Sequence, residues 1–516
     1  METLQLAAPE RATVRLATGI AGLDTILAGG FPANRIHLVY GRPGAGKTTL
    51  ALQFLMCGSR QGESTVYVAL SETAAEIRDV AVSHGWELPD DLHLCDFQTH
   101  DGGGGDDGGG YTLFHPSEIE LTETTRQILA TFDRLQPTRV VFDSLSELRL
   151  MARDSLRYRR QLLALKKYFT EHGTTVLLLD TRLAHETGEF QLETLTHGVV
   201  MMEQLAQDYG DARRRLRVEK MRGVKFVEGF HDFRILRGGV AVYPRLSAFS
   251  DRAEQPDTGT AASGIERLDQ LTGGPLDRGT TTMIIGPAGV GKSTLVTCYV
   301  LSALARGERC AAFLFDEDPG KWVYRARWLG VDVEPYRASG QLLLRHINPA
   351  ELTPGEFAHI IHHAEAEGVG VLVIDSFNGY RSAMPEERFL TLHLHELFDF
   401  LNRRGVLTLV VAAQHGFVGE ALDEPFKLSY LADSVVIMRY FEAFGRVRKA
   451  ISMIKRRTGP HESLIRELDL GPHGLELGEP LTEFQGILSG ELYYSGVRER
   501  LIHGDLGQGT AVEARS

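Results

Sequence analysis

Two lysines carry the clearest chemical signal in this sequence. Lys47 sits in GRPGAGKTTL (41–50) and Lys292 in GPAGVGKSTL (286–295), each between a glycine and a hydroxyl residue. The pattern Gly, four residues, Gly-Lys-Ser/Thr suits a loop whose backbone N–H groups face phosphate oxygens. Gly41, Gly44 and Gly46 in one stretch, and Gly286, Gly289 and Gly291 in the other, let the main chain come close to an anion. The lysine is then placed to reach the β- and γ-phosphates of a nucleotide. Thr48 or Ser293 is placed to hold Mg2+, with Thr49 and Thr294 next in the first turn of a helix. The two lysines stand almost half a chain apart, so the repetition is not local low complexity.

Acids follow each loop at matching places. RVVFDS (139–144) and VLVIDS (371–376) are apolar runs ending in Asp143 and Asp375. A carboxylate at the C-terminal end of a buried strand lies where nucleotides bind in open α/β sheets, and can help hold the magnesium. Closer to each loop, LSET supplies Glu72 and FDED supplies Asp316 and Glu317. Phosphoryl transfer needs a group that orients or deprotonates the nucleophile, and these three carboxylates are the candidates.

Parallel strands and intervening helices would position such groups. RIHLVYG, STVYVAL, RVVFDS and TTVLLLD in the first half have counterparts TTMIIG, RCAAFLF, VLVIDS and VLTLVVAAQ in the second. Strands that alternate with helices imply a mainly parallel sheet flanked by helices, once per half. Each half closes with further strand patterns, VVMMEQL and SVVIMRY among them, which read as antiparallel additions. TGIAGLDTILAGGF (18–31) also resembles SGIERLDQLTGGPL (263–276), so the duplication covers whole domains. The expected layout is an extension over 1–13, a domain over 14–247, a polar linker over 248–262, a second domain over 263–490 and a mobile tail over 491–516. HDGGGGDDGGGY (100–111) breaks the symmetry and reads as a flexible insertion, its core at 101–110.

Composition is that of an ordinary soluble protein: 516 residues, 43% hydrophobic and 24% charged. The net charge of −13 offers no general attraction to nucleic acid. No signal peptide and no apolar run long enough to span a bilayer are read, which places the expected protein in the cytoplasm. Cys57, Cys95, Cys298 and Cys310 lack metal or C-x-x-C spacing and read as packing thiols of a reducing compartment.

Taken together, the G-I-x-x-L-D stretches, the phosphate loops and the strand-end aspartates resemble the KaiC family, circadian ATPases and autokinases with two tandem RecA-like P-loop NTPase domains. The resemblance implies a homo-hexamer of two stacked rings, with ATP and Mg2+ held between neighbours. It implies that a K-x-R-G motif late in each domain reaches the neighbour's nucleotide. Here VEKMRG supplies Lys220 and Arg222; MIKRRTG supplies Lys455 and Arg457, with His461 where the family often has histidine. The family's phosphoacceptor pair falls on FKLSYLADSVVIM, where Ser429 keeps the serine and Tyr430 replaces the threonine. The family's paired glutamates become Ser71-Glu72 in the first half and Asp316-Glu317 in the second. The first site is therefore expected to depend on Glu72 alone and chiefly to hold ATP for the ring, with slow hydrolysis. The second is expected to transfer phosphate to Ser429 as part of a signalling or timing switch, with protein partners.

Two other readings share this fold. A DNA recombinase or motor would need basic loops, whereas HGFVGEALDEPFKLSY carries Glu420, Asp423 and Glu424 against Lys427. Arg213, Arg214, Arg215 and Arg217 are the basic counterweight, read here as interface residues. An ATP-gated scaffold with little catalysis is the other.

Overall fold

The computed structural model describes residues 14–96, 116–152, 154–181, 192–206, 210–249, 259–382, 387–414, 429–471, 474–487 and 493–494. The glycine-rich insertion, the acidic segment ending at Lys427 and the C-terminal tail lie outside the described residues. The chain divides into two compact units, Met1–Ala248 and Phe249–Ser516.

Each unit is built on one nine-stranded sheet. In the first, β1 (Ile36–Gly41), β2 (Thr65–Ala69), β3 (Leu92–Asp96), β4 (Arg139–Asp143), β5 (Thr175–Thr181), β6 (Gly198–Leu205), β7 (Arg213–Met221), β8 (His231–Leu236) and β9 (Gly239–Tyr243) lie in the order β3-β2-β4-β5-β1-β6-β7-β8-β9. The second repeats this with β10 (Thr281–Gly286), β11 (Arg309–Leu314), β12 (Leu342–His346), β13 (Val369–Asp375), β14 (Leu407–Ala413), β15 (Ser434–Ala443), β16 (Arg446–Arg456), β17 (Arg466–Gly471) and β18 (Gly474–Pro480). Its order is β12-β11-β13-β14-β10-β15-β16-β17-β18, the same arrangement. These are tandem RecA-like α/β domains.

The central strands read as unbroken apolar runs because both faces are covered. In β1, Val39 enters the core beneath helix α1 (Lys47–Arg60), with Phe54 and Leu177. Its neighbours Leu38 and Tyr40 enter the opposite core, with Phe142 and Phe169. Successive side chains of a strand point to opposite faces, so one strand serves two cores.

One expectation is corrected. VVMMEQL and SVVIMRY are not antiparallel additions: β6 runs parallel to β1, and β15 parallel to β10. The antiparallel pairing begins one strand later, with β7 on β6 and β16 on β15. The reason is burial. Gly198–Met202 is buried on both faces, as a parallel strand inside a two-layered core must be.

The duplicated G-I-x-x-L-D stretch has a local job. Asp24 accepts from the Thr18 N–H at 2.7 Å, and Asp269 from the Ser263 N–H at 2.9 Å. Each carboxylate closes the turn that leads into its domain.

Candidate nucleotide sites

Both phosphate loops leave the C-terminal end of a central strand and enter a helix: α1 in the first unit, α3 (Lys292–Ala305) in the second. Gly46 and Gly291 take φ of 94° and 114° just before those helices, a left-handed turn that suits glycine. A Cβ on Gly41 would stand 2.2 Å from the Met202 carbonyl oxygen, and one on Gly286 2.5 Å from that of Met438. The loops therefore press against β6 and β15 in a way only glycine permits. Gly44 and Gly289 take φ of 76° and 74°.

Lys47 and Lys292 are buried and aimed back across their loops. Lys47 Nζ donates to the carbonyls of Gly41 (2.9 Å) and Arg42 (3.1 Å); Lys292 Nζ donates to that of Pro287 (2.7 Å). Burial lowers both amines, Lys292 to about 8. Asp143 and Asp180 oppose the shift at Lys47, Asp375 alone at Lys292. Thr49 and Thr294 follow on the same first turns, Thr49 within 3.3 Å of His84 Nε2.

The structure brings each strand-end aspartate to its helix hydroxyl. Thr48 Oγ1 donates to Asp143 at 2.8 Å, and Ser293 stands near enough to Asp375 to lower its carboxyl against the upward effect of burial. Both aspartates precede a cis peptide to serine, Ser144 and Ser376. Asp375 is buried, which raises its carboxyl above the usual range, and its Oδ2 has no hydrogen-bond partner among the described residues. A hydroxyl beside a carboxylate with a spare oxygen fits Mg2+, which takes one or two carboxylates and completes its shell with water and phosphate. The glycine cradle fits the phosphates in the same way.

The glutamates stand at strand-to-helix junctions fixed by caps. Thr73 accepts from the Glu76 N–H at 3.2 Å while Glu76 accepts from the Thr73 N–H at 2.7 Å, which starts helix α2 (Ala74–Ser83) just after Glu72. Asp318 accepts from the Gly320 N–H at 2.7 Å, which starts helix α4 (Pro319–Trp328) just after Glu317. Glu72 is half-buried. Burial, then Asp143 and Glu76, raise its carboxyl, and its Oε2 has no partner among the described residues. Glu317 instead accepts at both oxygens from Arg325 Nη2, at 2.5 and 2.6 Å. Asp316 accepts from the Ser376 hydroxyl.

The K-x-R pairs lie elsewhere. Lys220 donates to the Glu193 carbonyl and Arg222 to that of Thr194, the latter at 3.2 Å. Lys455 donates to the carbonyls of Ser429 (3.1 Å) and Ala432 (2.6 Å), and Arg457 to that of Tyr430 (2.7 Å). These contacts tie the half-buried Ser429 to the segment that enters β15, where Asp433 pairs with the start of β10 through the carbonyl of Thr281. The phosphate loop leaves the other end of β10. Within one chain, Ser429 and both K-x-R pairs are therefore at the opposite edge of the sheet from the loop of their own domain.

Three site residues were not among those read from the sequence. Tyr67 on β2 donates to Asp143 at 2.5 Å, where the second unit has Ala312. Burial and Asp143 push the Tyr67 phenol well above its usual range. Asp180, near the end of β5, is buried and pairs with Arg149 at 3.0 Å. An aspartate closing an apolar run was the signal used for Asp143, and LLLD carries it too. Arg325 is the third.

Three of the four clustered arginines are paired within their unit, while Arg214 Nε has no hydrogen-bond partner among the described residues. Arg213 pairs with Asp232 (3.3 Å), Arg215 with Glu203 (2.8 Å) and Arg217 with Glu219 (2.5 Å). Burial raises the thiols of Cys95, Cys298 and Cys310, the last two to about 11 and about 12, so they are poor nucleophiles.

The KaiC ATPase family profile matches residues 16–247 and 261–482, one copy per unit. The chain belongs to the KaiC ATPase family. It is 28% identical over 499 residues to the circadian clock protein KaiC3 of Synechocystis sp., covering 94% of this chain and 96% of that one. It is 26% identical to the circadian clock oscillator protein KaiC of Acaryochloris marina, covering 92% and 91%. With that of Synechococcus elongatus it shares 25% identity, covering 93% and 92%. Two KaiC-type domains, each with an intact phosphate loop, make this a KaiC-like ATPase that uses ATP. No described helix is long and apolar enough to cross a membrane.

Proposed function

We propose that this KaiC-like ATPase works as a homo-hexameric ring in the cytoplasm, phosphorylates its own Ser429 from ATP, and uses that mark as a signalling or timing switch read by protein partners. One observation supports the trans arrangement above the rest. Ser429 and the phosphate loop of its domain face opposite ends of β10, and a strand rises ~3.3 Å per residue, so the six residues of β10 keep them roughly 17 Å apart. A serine so placed meets a γ-phosphate only if a neighbouring chain brings one. The same argument applies to Lys220, Arg222, Lys455 and Arg457, whose charge can stabilise the transferring phosphoryl group only across an interface.

In the transfer step, Ser429 Oγ bonds to the γ-phosphorus as the bond to the bridging β–γ oxygen breaks. The serine proton passes to Asp316 or Glu317, and ADP leaves. In hydrolysis, water replaces the serine hydroxyl and Glu72 or Glu317 directs it. Mg2+ beside Thr48 and Asp143, or Ser293 and Asp375, would supply charge neutralisation at the phosphates when bound. The pairing of three of the four clustered arginines with carboxylates, together with the net charge of −13, supports protein rather than nucleic acid as the partner class.

The test follows phosphate from γ-labelled ATP and Mg2+ both as free phosphate and as label on the chain, with native mass spectrometry on the same samples. Release of phosphate, hexamers in ATP, and label lost in Ser429→Ala are expected. A monomer at saturating ATP, or label that survives Ser429→Ala, would contradict the proposal.

A further inference from the structure

We propose that Arg325 is a positioning residue that engages both Glu317 oxygens and so restrains this carboxylate from acting as a base, with the result that the second site hydrolyses ATP more slowly than the first. This rests on the ATPase reading, assigns unequal rates within it, and reverses the expectation that the first site is the slow one. Both Glu317 oxygens accept from one guanidinium nitrogen, at 2.5 and 2.6 Å. The same guanidinium reaches Thr297 Oγ1 at 3.5 Å through Nη1. Thr297 belongs to the second turn of α3, one turn beyond Ser293, and its hydroxyl donates to the Ser293 carbonyl at 2.6 Å. Arg325 thus ties the glutamate to the flank of the helix, with both groups still within electrostatic reach of Asp375.

To take a proton from water or from serine, a Glu317 oxygen must leave this nitrogen. Charge-assisted bonds of this kind are among the stronger ones in proteins. The other acid of the pair, Asp316, is engaged by the Ser376 hydroxyl. The first unit lacks the device. At the place of Arg325, eight residues beyond the glutamate, α2 carries Val80, and Glu72 Oε2 has no partner among the described residues. The first unit also shows that a glutamate at this junction does not need an arginine for its strand and helix to form.

The experiment isolates one site at a time in the full chain. In a Glu72→Gln background, Arg325→Val should raise kcat for ATP hydrolysis about tenfold with little change in KM, as expected when a bond of this class no longer holds the base. Arg325→Lys should fall between. In a Glu317→Gln background, Val80→Arg should lower the remaining turnover several-fold. The kcat-against-KM split separates positioning from damage to the fold, which would move ATP binding. If Arg325→Val does not bind ATP, Arg325→Lys and the Val80→Arg arm decide. Unchanged or lower kcat in every Arg325 variant that binds ATP, or no fall with Val80→Arg, would overturn the proposal. An unmodified chain that hydrolyses no ATP would remove the ATPase reading itself, a distinct outcome.

Discussion

The two nucleotide sites share their backbone and differ in what surrounds it. Each has a glycine loop pressed against a neighbouring strand, a buried lysine, and a strand-end aspartate beside a helix hydroxyl, hydrogen-bonded to it in the first site. Around Asp143 the first site adds Tyr67, with Asp180 near Lys47, and leaves a Glu72 oxygen unpartnered. The second has alanine in place of Tyr67, only Asp375 offsetting the burial of Lys292, and an arginine on its glutamate. The lesson is that the loop marks where phosphate sits, while the neighbouring side chains govern how fast anything happens to it.

The largest effect should come from the lysines. Lys292→Ala should abolish label on the chain while hexamers persist, and Lys47→Ala should weaken assembly most; gel filtration in ATP with γ-label counting checks both. Equal behaviour of the two variants would erase the division between the halves. Next come the glutamates. General bases contribute typically 10²–10⁴-fold, so Glu72→Gln should all but silence the first site and leave only the slower second site's share, roughly a tenth of the total ATP hydrolysis, with ATP binding kept. Glu317→Gln should cost much less in steady-state turnover, because Arg325 already restrains that carboxylate. A larger loss from Glu317→Gln than from Glu72→Gln would reverse the comparison. The smallest effect is Tyr67→Phe. It removes one hydrogen bond to Asp143 while Thr48 still donates to the same oxygen, and should shift the Mg2+ dependence of the first site alone by only a few-fold. A Mg2+ titration in the Glu317→Gln background reads it.

Much of this was legible in sequence because it is local. A phosphate loop is set by glycines within one short segment, and Asp143 and Asp375 show themselves by ending apolar runs. The mainly parallel sheet flanked by helices follows from the alternation of strands and helices in both halves, whereas the order of its strands does not. What was not legible depends on register. Whether Tyr67 points at Asp143 depends on how β2 aligns with β4, and TVYVA by itself reads only as a buried strand. Arg325 looks like a surface residue of an amphipathic helix until the cap at Asp318 fixes the phase of α4 against Glu317. The direction of β6 and β15 was misjudged because the antiparallel strands that follow drew them into one pattern. Their unbroken burial was the overlooked sign.

The most direct test of the account mixes two inactive chains. Lys292→Ala chains keep Ser429 but lack the second-site lysine; Ser429→Ala chains keep the lysine but lack the acceptor. Assembled together in γ-labelled ATP and Mg2+, the mixture should regain label, and only on the Lys292→Ala chains, because the opposite ends of β10 are joined only through a neighbour. No label in mixed hexamers, or label on Ser429→Ala chains, would contradict transfer to Ser429 across the interface.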